Sequence, residues 1–292
     1  RQRQMCIRDR LWEFVAEDIK QRGAQLEMNT CVKAVNCRDG RVRSVTVESA
    51  DGSEREVSCD WFLSSMPVKD LIEALRGIEV PDNVRQAASV LPYRDFITVG
   101  LLVDRLKIGA GILVPDTWIY IQERDVKLGR LQIFNNWSPF MVADPAKVWL
   151  GLEYFCSEGD AMWRMSDSDF IEMAKAELEK IGIIDAADVV DAVRIRMPKA
   201  YPGYFGSYSE MPTIRRFLSS IPNLYCIGRN GQHRYNNMDH SMLTAMEAVK
   251  LIRSGSTDQR ALWNVNTEQD YHESVLSEGP AASSADRDGD TD

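Results

Sequence analysis

The chain has 292 residues, 44% hydrophobic and 27% charged, with a formal net charge of −9, a globular profile with room for one large domain or two ordinary ones. The acidic balance argues against general nucleic-acid binding, which needs a basic face, and no apolar run approaches the roughly 20 residues that span a membrane. Six cysteines (Cys6, Cys31, Cys37, Cys59, Cys156 and Cys226) are scattered without a CxxC pair, a pattern that suits thiols in a reducing cytoplasm better than disulfides or zinc ligands.

Residues 1–10, RQRQMCIRDR, are basic and without periodicity, and read as a foreign leader outside the fold. Leu11, Phe14, Val15 and Ile19 predict a helix over about 11–22, ended by Gly23. Residues 25–65 carry β patterning. Val32 and Val35 belong to one strand, Asp39-Gly40 signals a hairpin, and Val42, Val45 and Val47 follow it. Asp51-Gly52 signals a second turn, before Val57 and Cys59. Trp61 to Pro67 predicts a short buried strand, and its end at Ser64 and Ser65, stopped by Pro67, can turn backbone groups toward a ligand. Helices are expected over about 68–76 and 82–90. Strands are expected near 96–103, 118–122, 130–136 and 147–155, and without helical crossovers between them they form an antiparallel sheet. Ser166 caps a helix running to about Ile181, with Phe170, Ala174, Leu178 and Ile181 inside. A strand over about 189–197 leads to the aromatic segment Tyr201 to Tyr208, then to a short helix over about 212–220. Polar composition after Trp263 predicts a tail over 264–292, disordered at least from 277.

The densest set of unusual residues lies over 223–252. A strand from Leu224 to Ile227 is followed by Gly228, a polar loop and a helix opening at or just before Asp239, whose carboxylate can cap backbone N–H groups. Met242 and Met246 repeat at helical spacing with Val249 and Ile252 and are expected in the core. Strand, glycine, loop and helix N-terminus together make a seat for an anion or phosphate. Capping alone needs only Gly228 and Asp239, so the added Arg229, Arg234, Tyr235, Asn236, Asn237 and His240 point to a ligand. His233 and His240 have no third ligand at metal spacing, so turn or capping roles are expected and no metal.

GRNGQHRYNNMDHSMLTAMEAVKLI, residues 228–252, resembles the C-terminal FAD-binding signature of UDP-galactopyranose mutases. It departs from that signature by a shorter link between Tyr235 and Asn237 and by Met238 in place of glutamine. WIYIQE, Trp118 to Glu123, and GRLQIFNNWSP, Gly129 to Pro139, resemble two β-strand motifs of that family, and Tyr201-Pro202 its tyrosine–proline pair. SSMP, Ser64 to Pro67, is similar to the wider amine-oxidase-like flavoproteins. The fold expected is α/β with α+β character: a truncated FAD/NAD(P)-binding doubly wound domain over 11–80 and 222–255, with a mainly antiparallel substrate domain inserted over 81–221. The GxGxxG loop with which those flavoproteins begin has no counterpart, since Gly109-Ala-Gly111 lacks the third glycine and the helix. The chain therefore reads as the C-terminal portion of a longer enzyme.

The resemblance implies FAD along Val32, Gly228, Arg229, Asn237, Met238 and Ser241, and the residue-level reading adds Ser65 and Asp239. It places Arg130 and Tyr235 at a substrate diphosphate and makes Tyr201 a further substrate-binding candidate; Arg130 is expected to face solvent. No side chain stands out as an acid–base catalyst, in keeping with chemistry borne by the flavin. The implied substrate is a small molecule, a nucleotide sugar whose ring changes size without net redox. Two alternatives stand beside it: an amine, porphyrinogen or carotenoid type oxidase or desaturase, and a non-catalytic fragment.

Overall fold

The computed structural model describes residues 10–111 and 113–266, so the leader, apart from Arg10, and the tail from 267 onward lie outside the described residues. In chain order the elements are α1 (Leu11–Gln21), β1 (Thr30–Arg38), β2 (Arg41–Ser49), β3 (Glu54–Ser58), β4 (Phe62–Ser64), α2 (Val68–Ala74), β5 (Leu75–Arg76) and α3 (Asp82–Ser89). Then come β6 (Tyr93–Val103), β7 (Trp118–Tyr120), β8 (Arg130–Ile133), β9 (Val148–Cys156), α4 (Ala161–Arg164), α5 (Asp167–Lys180) and β10 (Val189–Pro202). The last elements are α6 (Met211–Ser219), β11 (Leu224–Cys226), α7 (Gly228–Gly231), α8 (Met238–Ser254) and α9 (Arg260–Trp263). The fold is mixed α/β with three open sheets.

The first sheet has the order β3-β2-β1-β5. Its β1–β2 hairpin turns on Asp39 and Gly40, at φ 57° and 70°, the left-handed pair that a two-residue turn requires. The helix expected over 68–76 stops at Ala74, because Leu75 goes extended and pairs in parallel with Val35. The strand expected over 61–67 shortens to β4, with Ser64 buried, Phe62 and Leu63 half-buried and Trp61 39% exposed. β4 pairs in parallel with β11, Leu224 opposite Phe62, as a two-stranded sheet. Val35, Leu71, Ile72, Val84, Ile214 and Leu224 belong to the core that joins these elements.

The second sheet is antiparallel throughout, in the order β10-β6-β9-β8-β7. The strand expected over 189–197 runs on to Pro202, and the one expected over 130–136 gives way at Phe134 to a short 3-10 turn. Side chains alternate across a strand, and Ile97, Val99, Leu101, Leu131, Leu150, Leu152 and Tyr154 face one way into a second core with Phe170, Ala174 and Leu178 of α5. Ser166 caps α5 by accepting from the Asp169 N–H at 3.1 Å. The helix α1 buries no residue, and Phe14 is 71% exposed.

Candidate functional site

The opposite face of the second sheet gathers Arg130 and Gln132 of β8 with Glu153 and Phe155 of β9. Arg130 stands opposite Glu153 in the register, and Phe96 of β6 opposite Phe155. Arg130 Nε donates to Glu153, and Gln132 Nε2 donates to the other carboxylate oxygen. The guanidinium lies 5.7 Å from the Trp118 ring and 5.8 Å from the Tyr120 ring. Phe96 and Phe155 each meet Tyr201 of β10, with centroids 6.2 Å apart in both pairs. The extension of β10 past Met197 puts Tyr201 there.

Tyr201 is also the link to the loop after β11. It stacks on Tyr235 at 5.9 Å and 24°. The Arg229 guanidinium lies over both rings, 5.2 Å from Tyr201 and 4.5 Å from Tyr235, and its Nε donates to the Asn236 carbonyl at 3.0 Å. Arg229, Tyr201 and Tyr235 therefore converge, although they are 28 or more residues apart along part of that path.

The loop itself is held from beneath. Gly228 sits at φ 72°, and its N–H donates to Thr244 Oγ1 of α8 at 2.9 Å. The Ile227 N–H donates to the Ser64 carbonyl at 2.9 Å. A Cβ on Gly231 would stand 2.4 Å from that carbonyl, so only glycine lets α7 approach the end of β4 so closely. Gln232, buried, donates to the carbonyls of Cys226 and Leu262. His233 has no exposed surface; its Nε2 lies 3.2 Å from the Gly203 carbonyl and its ring meets Tyr93 edge-on at 4.7 Å. Burial pushes His233 down to about 4, the Gly203 hydrogen bond opposing only in part. This histidine is thus a neutral packing residue that sits in a turn, as expected, at φ 47°; its burial is what the sequence left hidden.

Above the loop, α8 begins at Met238 with Asn237 in the cap position and no side-chain cap bond. Asp239 does not cap the helix as expected; it lies one residue inside the first turn, exposed. The first N–H groups of α8 are left for an outside acceptor. Ser65 Cβ and Ser241 Oγ each lie 4.0 Å from where a Gly228 Cβ would be, so Gly228, Ser65 and Ser241 border one space. Ser64 Oγ and Asn236 Oδ1, both on buried residues beside it, have no hydrogen-bond partner. Val32 is a half-buried member of the first core and is not joined to this cluster by any described contact.

Two further expectations change. Met242 and Met246 are 47% and 56% exposed, not in the core, because α8 turns Thr244, Ala248 and Leu251 inward instead. Helical spacing identifies a stripe but not which side of the helix meets the sheet. Arg130 is 9% exposed rather than solvent-facing, since the cross-strand position of Glu153 draws it onto the sheet.

A sequence profile of flavin-containing amine oxidoreductases matches residues 6–252. The chain belongs to that family. Among solved structures, it is similar to reduced UDP-galactopyranose mutase at 21% identity and a TM-score of 0.71, over 87% of this chain and 53% of that one. Putrescine oxidase bound to putrescine matches at 14% identity and a TM-score of 0.56, over 83% and 53%. An oxidoreductase from Methanosarcina mazei matches at 13% identity and a TM-score of 0.54, over 80% and 52%. These likenesses establish a shared fold, and the chain spans about half the length of each structure. No curated protein matches the chain. Among the described residues the five cysteines are free, no acidic, histidine and cysteine cluster is placed to hold a metal, and no helix is long and apolar enough to cross a membrane.

Proposed function

We propose that the chain is part of an FAD-dependent enzyme acting on a nucleotide sugar, with the flavin at the N-terminus of α8 and the substrate on the open face of the second sheet. The uncapped first turn of α8, bordered by Gly228, Ser65 and Ser241, is the observation that carries the reading. Free N–H groups and the positive end of a helix dipole suit a phosphate or a ribityl oxygen. The partnerless Ser64 Oγ and Asn236 Oδ1 fit a polar ligand passing over them. These residues suit FAD, and the family is a flavin family.

When bound, the flavin supplies the bond-making chemistry, and the chain binds and orients. Asn237, Met238 and Asp239 present their backbone N–H groups at the first turn of α8. Arg229, braced by the Asn236 carbonyl and lying over Tyr201 and Tyr235, puts positive charge between the flavin seat and the sheet. Glu153 fixes the plane of Arg130, as a fork must be fixed to meet a diphosphate in one geometry. The rings of Trp118, Tyr120, Phe155 and Tyr201 supply flat surfaces for a sugar or a base.

We divide the chain into a cofactor part and a substrate part. The two cores support boundaries near Tyr93 and Pro202 rather than at 81 and 221, because α3 and α6 share the first core with β1 and β11. Our reading puts the whole protein in a reducing cytoplasm, a reading supported by the free thiols among the described residues.

A second reading has its own support. Arg130 is paired with Glu153 and flanked by aromatic rings, and a neutralised aromatic surface also suits the less polar substrate of an oxidase. Titrating the chain with FAD, followed by flavin fluorescence, tests the seat: Ser241→Trp, which fills it, should abolish whatever affinity the chain has. Equal binding by the wild type and this variant would place the flavin elsewhere. Turnover of UDP-sugars against that of amines separates the two substrate classes.

A further inference from the structure

A second cleft, of about 640 Å³, lies between α6, the turn after α7 and the segment 257–263. Of the loop residues that pointed to a ligand in the sequence only Arg234 lines it, and none of those proposed above to hold flavin or substrate does. Its walls carry four guanidiniums, those of Arg215, Arg216, Arg234 and Arg260, against the single carboxylate of Asp258. Asp258 is taken by Arg260 at 2.6 Å. Among the described residues no ion pair holds Arg215, Arg216 or Arg234. Three cations with no acidic partner among the described residues stand out in a chain whose net charge is −9.

Two of the three cations and the segment beside them are anchored. Arg215 lies over the Trp263 ring at 5.4 Å, and the Trp263 indole N–H donates to Ser219 Oγ at 3.1 Å. Arg234 Nη1 donates to the carbonyls of Trp263 and Asn266. Gln259, buried, donates to the Leu224 carbonyl at 2.9 Å and anchors the segment to β11. Burial first, and the charge of Arg234 second, push Arg215 below its ordinary range, so the two guanidiniums repel across the cleft. Holding like charges together costs free energy that an anion between them would recover. A planar fork matches phosphate oxygens two at a time, and three cations call for more than the one charge of a carboxylate.

We propose that this cleft binds a small phosphorylated molecule through a pyrophosphate group held by Arg215, Arg216 and Arg234. The site is separate from the flavin seat and from the open sheet face, and it stands or falls apart from the function proposed above.

The test is calorimetric titration of the full chain with inorganic pyrophosphate, and with citrate as a polycarboxylate of similar charge, at low ionic strength. Saturable pyrophosphate binding is expected, tighter than citrate binding and weakened by added salt. Arg215→Gln and Arg216→Gln should each weaken it by about tenfold or more, the scale of one charge-assisted contact. Arg216 is exposed, so its variant folds even where Arg215→Gln does not. Flavin affinity should be the same in Arg216→Gln as in the wild type. No saturable pyrophosphate binding, citrate binding as tight, or unchanged affinity in Arg216→Gln would each overturn the assignment.

Discussion

The two faces of the five-stranded sheet are made by alternate residues of the same strands and do opposite things. On one, Leu150, Leu152 and Tyr154 of β9 pack against Phe170, Ala174 and Leu178 of α5, with Glu177 beside the Tyr154 hydroxyl and Arg194 over the Phe170 ring as the polar neighbours. On the other, Trp149, Glu153 and Phe155 share their surface with Arg130, Gln132 and Tyr201. Shifting one position along β9 moves from a residue whose only task is to exclude water to one that positions charge. The first face can exchange one apolar residue for another of like volume. The second cannot exchange anything without changing what it presents.

The sharpest way to break this contrast is to show that the open face also stabilises the fold. Glu153 is 2% exposed and paired with Arg130. Removing it takes away the buried carboxylate to which Arg130 and Gln132 both donate, so Glu153→Ala should lower unfolding free energy by about 3–5 kcal/mol, measured by urea denaturation. A silent variant would mean that water already reaches the pair. Leu152→Ala on the packed face should cost about 2–5 kcal/mol through its cavity and leave ligand binding at saturating stability unchanged. Weaker flavin or substrate binding by that folded variant would show that the two faces are not independent.

The loop that meets the open face through Tyr235 has a pH signature. Neutral His233 is the buried form, and its ring titrates in the folded state near pH 4. Its contribution is therefore whole above the unfolded value of ~6.5, and it is lost as pH falls from there toward 4. The loss is on the order of 3 kcal/mol. Denaturation midpoints of the wild type and His233→Phe, compared across this window, should show the extra slope only in the wild type. Equal slopes would place the ring in contact with solvent. The smallest effect is expected far from the site: Ser166→Ala removes the cap of α5 and should cost about 1 kcal/mol, with no change in any binding measurement.

Where local chemistry decides structure, the sequence was readable. Asp39-Gly40 can hardly be anything but a tight turn, and Ser166 followed by Asp169 announces a helix start. The antiparallel sheet was legible from the run of strands without crossovers. The partner of Arg130 was not, because Glu153 lies 23 residues away and only the register brings them opposite. The orientation of α8 was hidden for a similar reason: Thr244, rather than the methionines, faces inward because its hydroxyl accepts from Gly228 across 16 residues. Arg229 and the two tyrosines were named as site residues, but their stacking depends on β10 running five residues beyond the strand that hydrophobic patterning outlined.

The reading of the open face as a diphosphate surface is put at risk by one comparison, calorimetric titration with UDP at saturating FAD for the wild type and Arg130→Lys. Lysine keeps the charge beside Glu153, so the fold should persist, but it has no planar fork. UDP should bind the wild type and bind the variant about tenfold more weakly, the loss of one charge-assisted contact. Equal affinity in the two proteins, or no UDP binding by the wild type, would contradict the nucleotide-sugar reading and leave the oxidase as the better description of this surface.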